Sequence, residues 1–147
     1  MQAAFLTEWL PSVKRQFRVY LETNGILHEA MKDLRDLVHV VSMDFKLPSA
    51  TGLRPFWEEH SRFLEAATGT AAVFVKAVIT RDTNKDDVLL SAGLIARHDP
   101  SIPFVLQPAG GPLAPDINML VDYQEAALRI TRDVRIIPQA HKILMVS

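Results

Sequence analysis

Five short runs rich in β-branched and aromatic residues punctuate this chain of 147 residues, each separated from the next by a stretch of helical periodicity. The strand-like runs are FRVYLE (17–22), VHVVSMDF (38–45), AAVFVKAVIT (71–80), IPFVLQ (102–107) and VRIIPQ (134–139). Apolar residues recur every three or four positions at 3–15, 26–37, 56–68, 84–98 and 117–132, with Pro11 expected to kink or stop the first helix and Thr83 or Asn84 to cap the fourth. The predicted order is α-βα-βα-βα-βα-β. A strand that returns through a helix pairs in parallel with its predecessor, by a right-handed crossover. The expectation is therefore an α/β fold of alternating βα units with a parallel sheet, either doubly wound or an arc of a larger barrel. AAVFVKAVIT is apolar almost throughout, as expected of a parallel strand covered on both faces.

The segments KLPSATGLRP (46–55) and PAGGPLAPD (108–116) read as irregular loops, on their proline and glycine content. No shift in composition divides the chain, so residues 1–147 are expected to form one domain. With 16 basic against 17 acidic residues, the net charge of −1 leaves no electrostatic footprint for nucleic acid or an anionic membrane. No apolar run approaches the roughly 20 residues of a membrane span, and a basic, then apolar leader is missing; a cytoplasmic protein is expected. There is no cysteine. Disulfides, thiolate nucleophiles and cysteine-ligated metal on this polypeptide are excluded on that ground.

Doubly wound sheets and barrels both bind ligands at the carboxyl ends of their strands. The first strand ends in Glu22, Thr23 and Asn24, the second in Ser42, Asp44 and Lys46, and the third in Lys76, Thr80, Arg81 and Asp82. The fourth delivers Gln107 and the fifth Gln139, His141 and Lys142. Such a rim suits a small polar ligand, although ETNG (22–25) equally suits turn chemistry and Asp44 with Lys46 an interior ion pair. No G-x-G-x-x-G, G-x-x-x-x-G-K-[ST] or G-x-S-x-G occurs, and the five histidines include no H-E-x-x-H. An acid–base enzyme built on Glu22, Asp44, Lys46 or Lys76 would lack a nucleophile–base pair.

Longer strings narrow the field. YLETNGIL, VVSMDFKLPSATG followed by FWEEHSRFL, then FVKAVIT, FVLQP and VRIIPQAHKIL resemble, in order and along nearly the whole chain, the later part of 7-carboxy-7-deazaguanine synthases. These are radical S-adenosylmethionine enzymes of the queuosine and deazapurine pathway. The resemblance implies a partial, TIM-like barrel in which Glu22, Asn24, Asp44, Lys46, Gln107 and Pro108 bind the cofactor S-adenosylmethionine. It also implies that His141 belongs to a tail folding over the substrate.

The family's C-x-x-x-C-x-x-C loop, which ligates a four-iron four-sulfur cluster, does not occur here, nor does its glycine-glycine-glutamate-proline motif. The opening MQAAFLTEWLP resembles the segment just after that motif. On this resemblance the chain corresponds to the later strands of a lyase's barrel, without catalytic residues or metal ligands of its own, and is expected to be inactive alone. The parent's partners would be a small-molecule cofactor and substrate. The alternative expectation is a non-catalytic α/β binding or oligomerisation module, self-associating through an open sheet edge.

Overall fold

The computed structural model describes residues 3–69 and 71–138. In chain order the elements are α1 (Ala3–Val13), β1 (Tyr20–Thr23), α2 (His28–Leu34), β2 (Val40–Phe45), α3 (Pro48–Thr51), α4 (Trp57–Ala67) and β3 (Ala72–Ile79). These are followed by α5 (Lys85–His98), β4 (Phe104–Pro108), a 3-10 turn (Gly111–Leu113), α6 (Ile117–Leu128) and β5 (Val134–Ile136). All five expected strands are present. They form one sheet in the order β1-β2-β3-β4-β5, with every neighbouring pair parallel.

That order decides between the two arrangements the sequence left open. A doubly wound sheet reverses its strand order at a switch point, which sends helices to both faces. Here the order never reverses, so right-handed crossovers deliver every connecting helix to the same side. The result is an open α/β arc, consistent with part of a barrel.

The core has the same one-sidedness. Val41, Met43 and Phe45 of β2, Val75, Ala77 and Ile79 of β3, and Phe104 and Leu106 of β4 pack with Met31, Leu34, Phe63, Leu64, Ile95 and Leu120 from the helices. The alternate strand positions, Glu22, Ser42, Asp44, Phe74, Lys76, Val78, Val105 and Gln107, stand outside that cluster. Ser42 and Val105 are nonetheless buried, and the others are half-buried or exposed. The expectation that β3 is covered on both faces is therefore corrected: Phe74, Lys76 and Val78 are only half-buried. Two of those three are apolar, which hid the alternation that Lys76 alone betrays.

Smaller differences have local causes. α1 runs two residues beyond Pro11, because a proline near a helix end forfeits only one backbone bond. The two loops expected to be irregular contain α3 and the 3-10 turn. α6 stops at Leu128, four residues short of the expected 132, where the Thr131 hydroxyl donates to the Pro100 carbonyl at 2.9 Å and draws the chain toward β4. Asn84 is the cap of α5, its side chain accepting from the Asp87 amide at 2.8 Å. No helix among the described residues is long and apolar enough to cross a membrane.

Candidate functional site

The uncovered face of the sheet gathers charge. Asp44 is in register with Lys76, Lys76 with Val105, and Val105 with Arg135, a row across four strands. Glu22 pairs with Lys76 from β1, and the Lys46 ammonium donates to Asp44 Oδ2 at 2.6 Å. Arg135 grips Asp133 through two bonds of 2.8 and 2.6 Å, which holds the Asp133 carboxyl below its usual range. Complete barrels fill their interior with layers of branched apolar residues. A wall carrying three ion pairs departs from that apolar filling and is polar.

Two atoms on this wall are left over. Ser42 Oγ and Asp44 Oδ1 are buried and have no hydrogen-bond partner among the described residues. An unsatisfied buried group costs about 1–3 kcal/mol. Two such atoms, two residues apart on one strand face, are free to accept from a water or a ligand.

The residues singled out from the sequence partly converge. Glu22, Asp44 and Lys46 are linked to the wall by their ion pairs, and Gln107 reaches it from β4, in register with Val78. Asn24 is the first residue beyond β1 and is exposed. Pro108 is in register with the core residue Ile79, so it alternates to the helix side and stands apart from Gln107. Thr80 is spent on a turn, its amide donating to Thr83 Oγ1 at 2.8 Å. Gln139, His141 and Lys142 lie outside the described residues.

The turn reading of ETNG also holds. Gly25 adopts φ +63°, and a Cβ there would stand 2.2 Å from Met43 Cε. Thr23 Oγ1 accepts from the Gly25 amide at 3.2 Å. Turn and rim thus share four consecutive residues.

Periodicity did not mark two supports of the rim as such. Asp87 Oδ2 accepts from the Ser49 amide at 2.8 Å and its hydroxyl at 2.6 Å, tying the loop after β2 to α5. His60 is fully buried on α4, its ring stacked on Phe45 at 4.5 Å. In the sequence it reads as one more member of a helix's core stripe, and no local signal sets it apart.

Burial lowers the His60 pKa; the Gly25 carbonyl, Glu59 and Asp44 oppose that shift and Lys46 adds to it. The unfolded imidazole titrates near 6.5, so between the folded value and about 6.5 the unfolded chain binds the extra proton. The stability due to neutral His60 is fully present above about pH 6.5 and is lost as pH falls through the folded-state value. His98 is also shifted down by burial and adds to the same acid loss. Denaturation of wild type and His60→Phe at several pH values is expected to show a shallower acid loss in the variant. Parallel curves would assign the loss to other groups.

A groove of about 540 Å³ between α2 and α4 is lined by His28, Glu29, Lys32, Arg35, Arg62 and Glu65. Its Glu29 carboxylate is already engaged by Lys32 at 2.8 Å and His28 at 3.0 Å. Among the described residues no three histidine, aspartate or glutamate side chains are grouped to hold a metal ion.

No family model matches the chain. Over 142 residues it is 37% identical to a 7-carboxy-7-deazaguanine synthase of Geobacter sulfurreducens, an overlap of 95% of this chain and 56% of that protein. Over 133 residues it is 35% identical to a 7-carboxy-7-deazaguanine synthase of Methanopyrus kandleri, covering 89% of this chain and 50% of that one. The chain spans about half the length of the curated relatives it matches. Along nearly all of its own length, then, the chain is similar to part of 7-carboxy-7-deazaguanine synthase.

Proposed function

We propose that this chain forms the cofactor-holding wall of a radical S-adenosylmethionine enzyme of the 7-carboxy-7-deazaguanine type, with S-adenosylmethionine lying along the open face of the sheet. The observation that carries this reading is the pair of buried, unpartnered acceptors, Ser42 Oγ and Asp44 Oδ1. S-adenosylmethionine brings ribose hydroxyls and an ammonium, which are donors for such atoms. Its carboxylate suits the Lys46 ammonium. Glu22, Asn24 and Gln107 supply further polar groups at the same strand ends.

In the whole enzyme the bound cofactor supplies the radical chemistry. The part of this chain is to bind and orient the cofactor and to keep water off it. The sequence contains no thiolate for an iron–sulfur cluster. The chain does not fit that group, and it is expected to bind without turnover. Its parent would carry out the carboxydeazaguanine-forming lyase step of queuosine biosynthesis.

A calorimetric titration with S-adenosylmethionine tests this reading. Saturable binding is expected, with no cofactor cleavage after anaerobic treatment with iron and sulfide. Absence of binding, or appearance of cleavage, contradicts it.

A second reading, a non-catalytic module that self-associates, is favoured by β1. Among the described residues this strand pairs only with β2, and Tyr20 on it is 56% exposed. An unpaired strand edge is a template for another chain. Light scattering at rising concentration is expected to give a dimer on this reading, and a monomer throughout contradicts it.

A further inference from the structure

The ladder between β1 and β2 ends at Thr23 opposite Met43, and just beyond it the two segments are joined through a side chain. Just before β1 the Val19 carbonyl accepts from the His39 amide at 2.9 Å and the Val40 amide at 3.2 Å, and the register then runs from Tyr20 opposite Val40 to Thr23 opposite Met43. Continuing that register sets Gly25 opposite Phe45, and the next rung would join the Lys46 amide to the Gly25 carbonyl. The imidazole of His60 stands between them instead. Lys46 N–H donates to Nε2 at 3.3 Å and Nδ1 meets the Gly25 carbonyl at 3.2 Å. A carbonyl only accepts and an amide N–H only donates, so the pair fixes the neutral tautomer with its proton on Nδ1. Stacking on Phe45 and edge contact with Trp57, at 6.5 Å between centroids, lock the ring in place.

We propose that His60 is a positioning residue: its imidazole, inserted as a relay just beyond the β1–β2 ladder, holds the Gly25 carbonyl and the Lys46 amide one ring apart and thereby sets how far the Asn24 and Lys46 ends of the rim splay. This rests on the reading of those strand ends as a ligand rim. It goes beyond that reading in assigning the geometry of the rim to a residue that itself touches no ligand. A direct rung would bring the strand ends together and narrow the mouth. The imidazole keeps both backbone groups satisfied while it keeps them apart.

His60→Phe keeps a ring on Phe45 and removes both hydrogen bonds. Amide hydrogen exchange and S-adenosylmethionine titration are measured on wild type, His60→Phe and His60→Gln, the last retaining one donor and one acceptor. Loss of its hydrogen-bond partner predicts exchange at the Lys46 amide faster by about tenfold in His60→Phe, with Ala77 in β3 within about twofold of wild type. Cofactor affinity is expected to fall by about tenfold and to be partly restored in His60→Gln. Nitrogen shifts of the wild-type imidazole are expected to show Nδ1 protonated and Nε2 bare, an arm that needs no variant to fold.

Unchanged exchange at Lys46, equal acceleration across the sheet, or the opposite tautomer overturns the proposal. So does unchanged affinity with a freed Lys46 amide. If wild type fails to bind the cofactor, the functional reading fails by itself. The exchange and tautomer arms then decide whether His60 holds the strand ends.

Discussion

Gly25→Ala is expected to destabilise the chain by about 2–5 kcal/mol, a fall in Tm of roughly 5–20 °C for a protein of this size. Two separate terms add. Alanine at φ +63° meets the steric penalty of the left-handed region, about 1–2 kcal/mol. Its Cβ would also fall 2.2 Å from Met43 Cε and 2.7 Å from Met43 Cγ. Met43 is fully buried in the core. Displacing it brings an overpacking cost of about 1–3 kcal/mol. Gly52 is the control, since it has φ +68° and nothing within 4 Å of where an added methyl group would stand. Gly52→Ala is expected to lose only the backbone part. Denaturant titration of both variants separates the terms, and equal losses would mean that Met43 gives way without cost.

Substitution at Ser42 is expected to move stability and affinity in opposite directions, and substitution at Asp44 to cost far more affinity than stability. Ser42→Ala removes a buried hydroxyl that makes no bond in the free chain. Stability should hold or rise by up to about 1 kcal/mol, while S-adenosylmethionine affinity falls by about 3- to 10-fold. Asp44→Asn takes the charge from an acceptor and weakens the Lys46 pair. Hydrogen bonds to charged groups contribute about 1.5–3 kcal/mol, so affinity should drop by roughly 10- to 100-fold. The pair is only partly buried, so its loss should lower stability by about 1 kcal/mol or less. A residue kept for structure loses stability and binding together. Opposite signs at Ser42 are the mark of an atom kept for a ligand. A Ser42→Ala protein that is less stable and binds normally would remove Ser42 from the site.

The alternation of strand and helix was legible because each element carries its own period, and all five strands fall within or close to their expected runs. The choice between doubly wound sheet and arc was not, since strand order is a matter of which distant segments pair. The open face was half legible. Asp44 and Lys46 share a face because side chains two apart on a strand do so, and Glu22 joins them through Lys76. Pro108, adjacent to Gln107, has the opposite parity for the same reason. Two features could not be read. That Ser42 Oγ and Asp44 Oδ1 lack partners depends on everything around them, and the role of His60 depends on Gly25, 35 residues away. A buried helix histidine and a relay in a sheet are identical in the sequence.

The central claim is that the uncovered sheet face is where the cofactor binds, and the most direct measurement is a map of backbone amide shifts during titration with S-adenosylmethionine. The account predicts that shifts concentrate at Glu22, Asn24, Ser42, Asp44, Lys46, Lys76 and Gln107, with little change along the outward faces of α2, α4 and α5. Shifts confined to the helix layer, or none at saturating cofactor, would contradict it.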